Sequence, residues 1–279
     1  MQRPQVGADE LFLDCVSYVR SASKAQRYLD AYPEVSARAD EYEQTLTVGG
    51  PLDPTQFELA GLTRQEMGSL YKRMLPQLAP ARKHRDKILA AALHRVCPYC
   101  GERRVESIDH YLPKSLSWAL AVTPANLVPA CSDCNHFKGE YSPARGRPAL
   151  IHPYFEDLDD LHWLEAVVDE LRPPAVRFRV ADANLVPDTA ERVAAQFELL
   201  RLGELYAAHA GQELAILDSR LSALVFQGAG GSTIRSYLLE EAEFRSGGHR
   251  NSWERVLFMT LADSDWYCRA YFGAVVTRT

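Results

Sequence analysis

Apolar residues recur at three- and four-residue intervals over most of the chain, and this spacing predicts helices. ELFLDCVSYVRSASKAQRYL and then VSARADEYEQTL predict helices across 9–46. The stretch TVGGPLDPTQ (47–56) ends them, because Gly-Gly and two prolines cannot continue a helix. LTRQEMGSLYKRML (62–75) and ARKHRDKILAAALHRV (81–96) predict two more, the second running directly into Cys97. From 97 to 145 the pattern changes. Short extended pieces, RRVESID and NLVPA, alternate with loop residues before a small helix opens near Ser132. Further on, the alternation in VRFRV predicts a short strand and hairpin. Helices resume at 189–225, break at QGAGGST (227–233) and continue in SYLLEEAEF and SWERVLFMTLADSDWYCRAYF.

The fold expected from this outline is α+β and mostly helical. It divides into an N-terminal helical region at 1–90, a central core at 91–147, and a C-terminal, mostly helical region with a short β-hairpin at 148–279. No stretch approaches the roughly 20 apolar residues of a membrane-spanning helix. An acidic pair sits where a signal peptide would have its apolar run. A cytoplasmic protein with no membrane partner is expected.

Six cysteines change the picture. Cys15 and Cys268 lie alone in apolar, helix-like surroundings and read as inert buried thiols. The other four form two C-x-x-C pairs, Cys97-Pro-Tyr-Cys100 and Cys131-Ser-Asp-Cys134, separated by residues 101–130. In a reducing compartment this spacing favours metal over disulfides. Four thiolates suit a closed tetrahedral Zn²⁺ site with no open position, so the zinc is expected to be structural. Gly101 fits a tight knuckle turn that needs positive φ. The net charge of −6 argues against a protein that coats nucleic acid by charge alone. Nine Lys and Arg residues between 72 and 104, against Asp86 and Glu102, form either a phosphate footprint beside the cysteines or a solvated helix face.

Between and just after the cysteines stand Asp109, His110, Asn126, Asn135, His136 and Lys138. In the order C-x2-C, D-H, N-L-V-P-A-C-x2-C-N-H-x-K, the stretch 97–140 resembles the HNH endonuclease family, in particular its four-cysteine branch. The resemblance implies a zinc-stapled, treble-clef-like ββα-metal core within 91–147. It implies that Asp109 and Asn135 bind one catalytic divalent ion, Mg²⁺ or Mn²⁺, that His110 is the general base, and that Asn126 ties down the loop after His110. Cys97, Cys100, Cys131 and Cys134 would hold zinc. The implied activity is hydrolysis of DNA phosphodiester bonds, double-stranded rather than single-stranded, in anti-phage defence or restriction, with other subunits of such a system as partners.

Elementary chemistry supports those roles. Phosphodiester hydrolysis needs a deprotonated water and a cation for the charge on the leaving oxygen. A carboxylate and an amide carbonyl are hard oxygen ligands that suit Mg²⁺. Histidine is mostly neutral at neutral pH and can take a proton from water. Adjacent side chains on a strand point to opposite faces, so Asp109 and His110 can both serve one site only at a strand's end or with one residue out of strand geometry. Asn135 follows Cys134 directly, so the zinc would fix a second metal's ligand through one peptide bond. Lys138 lies on the same helix face three residues on and is expected to reach a substrate phosphate, as are Arg103 and Arg104. Asn135 and His136 cannot both face the ion, and Asn135 is favoured.

His152 and His162 read as packing residues, GAGGST as a linker without the P-loop ending, and Trp163, Trp253 and Trp266 as core. The rival reading is a zinc-stapled nucleic-acid-binding module without catalysis. An RNA-directed or toxin-type nuclease is a further alternative.

Overall fold

The computed structural model describes residues 1–272 except 78, 144, 145 and 246. The chain divides into two compact units, Met1–Asp157 and Leu158–Thr279.

In the first unit, helix α1 (Ala8–Ser17) packs on α2 (Ala22–Val48). The buried residues of α2, Tyr28, Ala31, Val35, Ala39 and Tyr42, recur at intervals of three and four and so form one stripe. Gly49, with φ of 67°, closes the helix in the left-handed conformation that favours glycine. Thr63 and Glu66 form a reciprocal capping box at the start of α3 (Arg64–Tyr71). Helix α4 (Arg82–Ala90) packs on both strands of the central hairpin. Accordingly, the helices before residue 90 and the cysteine segment lie within one unit.

The helix expected to run into Cys97 stops at Ala90. His94 and Arg95 take left-handed φ values of 52° and 62°, and the chain turns. The turn aligns Val96 with Arg104, lets the Cys97 amide donate to the Arg103 carbonyl at 2.8 Å, and lets the Val105 amide donate to that of Arg95 at 2.8 Å. A helix continued through Cys97 could not make this bridge, because its amides would already be bonded within the helix.

Strands β1 (Ser107–His110) and β2 (Leu127–Ala130) pair antiparallel, with Asp109 opposite Val128 and His110 opposite Leu127. Helix α5 (Ser132–Lys138) follows β2 at once and packs on β1. The connection between the strands is held from below, where Trp118 Nε1 donates to the Leu62 carbonyl and Ser117 Oγ to that of Pro54, both at 2.9 Å.

In the second unit, β3 (Leu164–Asp169) and β4 (Ala175–Val180) form an antiparallel hairpin. Val176 and Phe178 of β4 are buried, while Arg177 and Arg179 face out and pair with Asp169 and Glu165. The helical stretch expected at 189–225 is two helices, α6 (Pro187–Leu199) and α7 (Leu202–Phe226), parted by Arg201 at φ of 53°. Helix α8 (Gly231–Arg245) begins inside the glycine-rich segment. A Cβ on Gly231 would lie 2.7 Å from Arg269 Cγ, so this glycine serves close packing. The last expected helix is also divided, into α9 (Trp253–Asp263) and a π-helical segment, Trp266–Tyr271. Trp253 is buried, whereas Trp163 and Trp266 are half-buried. No helix among the described residues is long and apolar enough to cross a membrane.

His152 is fully buried in the first unit. Its Nε2 donates to the Ala125 carbonyl at 3.1 Å, its Nδ1 accepts from the Tyr154 amide at 3.2 Å, and its ring lies 4.2 Å from that of Tyr111. Burial pushes its pKa down from 6.5 to about 3. The folded protein therefore holds His152 neutral where the unfolded chain protonates it. This term leaves stability intact above pH 6.5 and erodes it as pH falls toward 3, by about 1.4 kcal/mol per pH unit. Urea unfolding of the full-length protein between pH 6.5 and 4.5 should show that His152→Gln flattens the decline of stability by about that slope.

Candidate active site

The bridge at Val96–Arg104 and the start of α5 bring the two cysteine pairs together. Gly101, at φ of 69°, turns the first knuckle, and its amide donates to the Cys97 carbonyl at 2.8 Å. The Arg103 amide donates to Cys100 Sγ, and the Cys134 amide to Cys131 Sγ. All four sulfurs are buried and lie within 4.8 Å of one another. A tetrahedral ion with Zn–S bonds of about 2.3 Å needs sulfurs about 3.8 Å apart, so the donor set fits such an ion. Hydrogen bonds from the thiols of Cys100, Cys134 and Cys97 pull Cys131 far below the ordinary thiol range, while those with Cys100, Cys131 and Cys97 push Cys134 up. Four buried sulfurs cannot all be anionic without a cation among them.

A second group, Glu10, Asp14 and His84, also gathers ligand atoms. Here the Lys83 ammonium lies 3.0 Å from both carboxylates. His84 Nε2 meets Asp14 at 2.7 Å, and its Nδ1 is buried without a partner. If Nε2 bound a metal, Nδ1 would be left as a buried, unpaired N–H donor. The ion-pair reading is favoured. These contacts also engage part of the basic stretch: Lys83 is paired here, and Arg82 and Arg85 pair with Asp86.

Ser107 and Asp109 share one face of β1, and α5 lies across that face. Asn135 Nδ2 donates to Ser107 Oγ at 3.0 Å. One helical step further, Lys138 Nζ lies 3.0 Å and 3.3 Å from the Asp109 carboxylate oxygens and donates to the His110 carbonyl at 2.7 Å. Residues two apart on a strand and three apart on a helix match in spacing closely enough to form two such rungs. Tyr99, between the first two cysteines, donates its hydroxyl to Asp109 Oδ2 at 2.8 Å. Burial pushes the Asp109 carboxyl above its ordinary range, against the pull of Lys138 and Tyr99, and pushes the Lys138 ammonium down against the pull of Asp109. The expectation that Lys138 reaches a substrate phosphate is thus corrected. Its side chain is fully buried, and its ammonium is spent on Asp109 and His110.

His110 is the last residue of β1. Its Nε2 meets the Ala121 carbonyl at 3.0 Å, and Tyr71 stands edge-on to the ring at 4.6 Å. A carbonyl only accepts, so Nε2 carries the hydrogen and Nδ1 the lone pair. Nδ1 has no hydrogen-bond partner among the described residues and is not among the fully enclosed unpaired atoms. Burial, with the charge of Lys114 second, pushes the His110 pKa from 6.5 down to about 3.

Asn126 is fully buried. Its Nδ2 donates to the carbonyls of Leu112 (3.0 Å) and Leu120 (3.3 Å), and its Oδ1 accepts from the Leu112 amide (2.7 Å) and the Tyr42 hydroxyl (3.3 Å). It therefore clamps both ends of the turn whose Ala121 carbonyl holds His110. Ser107 Oγ gives its own proton to the Ala130 carbonyl, so it must accept from Asn135, which leaves Asn135 Oδ1 as that side chain's acceptor. Arg103 pairs with Asp133 at 3.1 Å, Arg104 is exposed, and His136 is exposed beside Phe137. Sequence reasoning assigned no role to Tyr99 or Tyr71; the only signal for Tyr99 is its place inside the first cysteine pair. Replacing Asn126 with alanine would leave the Leu112 amide and carbonyl and the Tyr42 hydroxyl without their partner, while the Leu120 carbonyl keeps the Thr123 amide. Asn126→Ala should lower the unfolding free energy by roughly 3 kcal/mol in urea titrations, with the cysteine cluster kept metal-loaded.

Residues 97–140 match the family described as HNH endonuclease. Protein ea31 of Escherichia phage lambda is 26% identical over 284 residues, covering 93% of this chain and 95% of the phage protein. No solved structure matches. The family match spans the four sulfurs, the Asp109–His110 pair and Asn135, and the chain carries an HNH endonuclease domain at residues 97–140.

Proposed function

We propose that this chain is a divalent-metal-dependent endonuclease that hydrolyses DNA phosphodiester bonds, double-stranded by preference, from a ββα-metal core stapled by structural zinc. The observation that carries the reading is the set of His110, with Nε2 pinned to the Ala121 carbonyl and the lone pair therefore on Nδ1. A base that is neutral, oriented and open on one nitrogen is what proton removal from water requires. Asp109 and the side-chain carbonyl of Asn135 are hard oxygen donors where β1 meets α5 and would hold Mg²⁺ or Mn²⁺. An ion bound there supplies positive charge for the scissile phosphate and the leaving oxygen.

The chain's own residues do the rest. His110 Nδ1 takes the proton of the attacking water while Asn126 keeps the turn carrying Ala121 from shifting the ring. Lys114 is exposed, 5.9 Å from the Tyr71 ring, and its charge acts on both His110 and Asp109, so it replaces Lys138 as the phosphate contact. Arg104, exposed before β1, is a second phosphate contact. The resemblance implies anti-phage defence or restriction as the setting. A phage protein shares the same chain plan, so a phage-borne nuclease has equal chemical support.

One observation favours the rival, a binding module without catalysis: Asp109 is 3% exposed and already bonded to Lys138 and Tyr99. Supercoiled plasmid separates the two. With Mg²⁺ or Mn²⁺ the protein should nick or linearise it, and His110→Ala should lose about 10²-fold or more of that rate with zinc retained. Plasmid binding without cleavage, unchanged by His110→Ala, would establish the binding module. The pH profile offers a further check, since kcat/KM reports the free enzyme. A base of pKa 6.5 would lose about tenfold between pH 7.5 and 5.5, whereas His110 near 3 should keep its activity over that range.

A further inference from the structure

Tyr99 stands two residues from Cys97 and one from Cys100, inside the knuckle that presents the first pair of sulfurs. It is 3% exposed, and its hydroxyl donates to Asp109 Oδ2 at 2.8 Å. Lys138 Nζ reaches the same oxygen at 3.0 Å. Asp109 Oδ1 has the longer contact to Lys138, at 3.3 Å, and is the less engaged of the two oxygens. The tyrosine thus ties Oδ2 a second time and leaves Oδ1 with only the longer bond from Lys138, the one a cation would displace. Asn135, the other oxygen donor, is joined directly to Cys134. Each half of the cysteine cluster therefore grips one of the two oxygen donors, through a hydrogen bond on one side and a peptide bond on the other.

We propose that Tyr99 is the positioning residue that couples the cysteine cluster to Asp109, so that the knuckle's geometry sets the affinity of the Asp109–Asn135 site for a divalent cation. The proposal rests on the reading of Asp109 as a metal ligand given above. Partners that orient a ligating group without touching the ion typically change metal affinity by about 10- to 100-fold when lost. Tyr99→Phe keeps the ring and its packing and removes only the donor.

The test is Mn²⁺ titration of the full-length, zinc-loaded protein, with free Mn²⁺ followed by electron paramagnetic resonance. Wild type, Tyr99→Phe and Asp109→Asn are compared, and zinc content and melting temperature are measured on each. Wild type should bind Mn²⁺ at a site that Asp109→Asn loses. Tyr99→Phe should bind there about 10-fold more weakly with zinc content unchanged and the protein still folded at the titration temperature, its melting temperature lowered only modestly by the lost hydrogen bond. Equal Mn²⁺ affinity in Tyr99→Phe and wild type would overturn the proposal while leaving Asp109 a ligand. Loss of affinity in step with loss of zinc or of the fold would give Tyr99 a purely structural role and overturn it as well. Wild type binding no better than Asp109→Asn would remove the metal-ligand reading itself, and the coupling with it.

Discussion

Four buried sulfurs held within 4.8 Å of one another are the constraint on which the central segment depends. Thiols this close share protons unevenly, and a cation that replaces those protons turns four competing groups into one rigid body. The rigid body joins chain positions more than 30 residues apart, the knuckle at 97–100 and the start of α5 at 131–134. The hairpin and α5 are short and could hold little structure alone. With the cluster closed, β1, β2 and α5 become three sides of one frame, and the positions that matter chemically sit on its corners.

The frame holds unusually costly contents. Asp109, His110, Asn126, Lys138 and His152 are all buried. Burial drives each titratable member toward its neutral form, and specific bonds either oppose that drift or make use of it. For Asp109 and Lys138 the bonds oppose it, since each is the other's counter-charge. Removing either would strand a charge in a poorly solvated place. For His110 the drift keeps the ring neutral, so that its second nitrogen holds a lone pair, at the cost of making it a weaker base. Asn126 carries no charge, yet it uses its amide fully, with two donated and two accepted bonds.

Much of this was legible in the residues. Paired cysteines at metal spacing, an Asp-His dipeptide and an asparagine directly after the last cysteine are chemical signals that survive without coordinates. The two strands and α5 could be found from changes in the pattern. What could not be read was which face met which. The spacing of Asn135 and Lys138 put them on one side of α5, but nothing in it said that this side looks onto Ser107 and Asp109 rather than solvent. A lysine is exposed by default, and only the pairing partner overrides that default. The end of α4 was missed because LAAALHRV has good helix formers throughout. The demand that stops it, a bridge between Val96 and Arg104, is tertiary. The break after Asp263 has the same character, since no proline or glycine announces it.

The division of the chain after Asp157 has a consequence of another kind. Every residue discussed as chemistry lies before that seam, and a compact body of this kind is a natural unit of exchange between genes. Such a body could be carried by many different companions. The similarity to the phage lambda protein, however, runs over 93% of this chain and so across the seam. The likeness therefore takes in both bodies. A chimaera joined after Asp157 is the natural way to learn what the second body contributes.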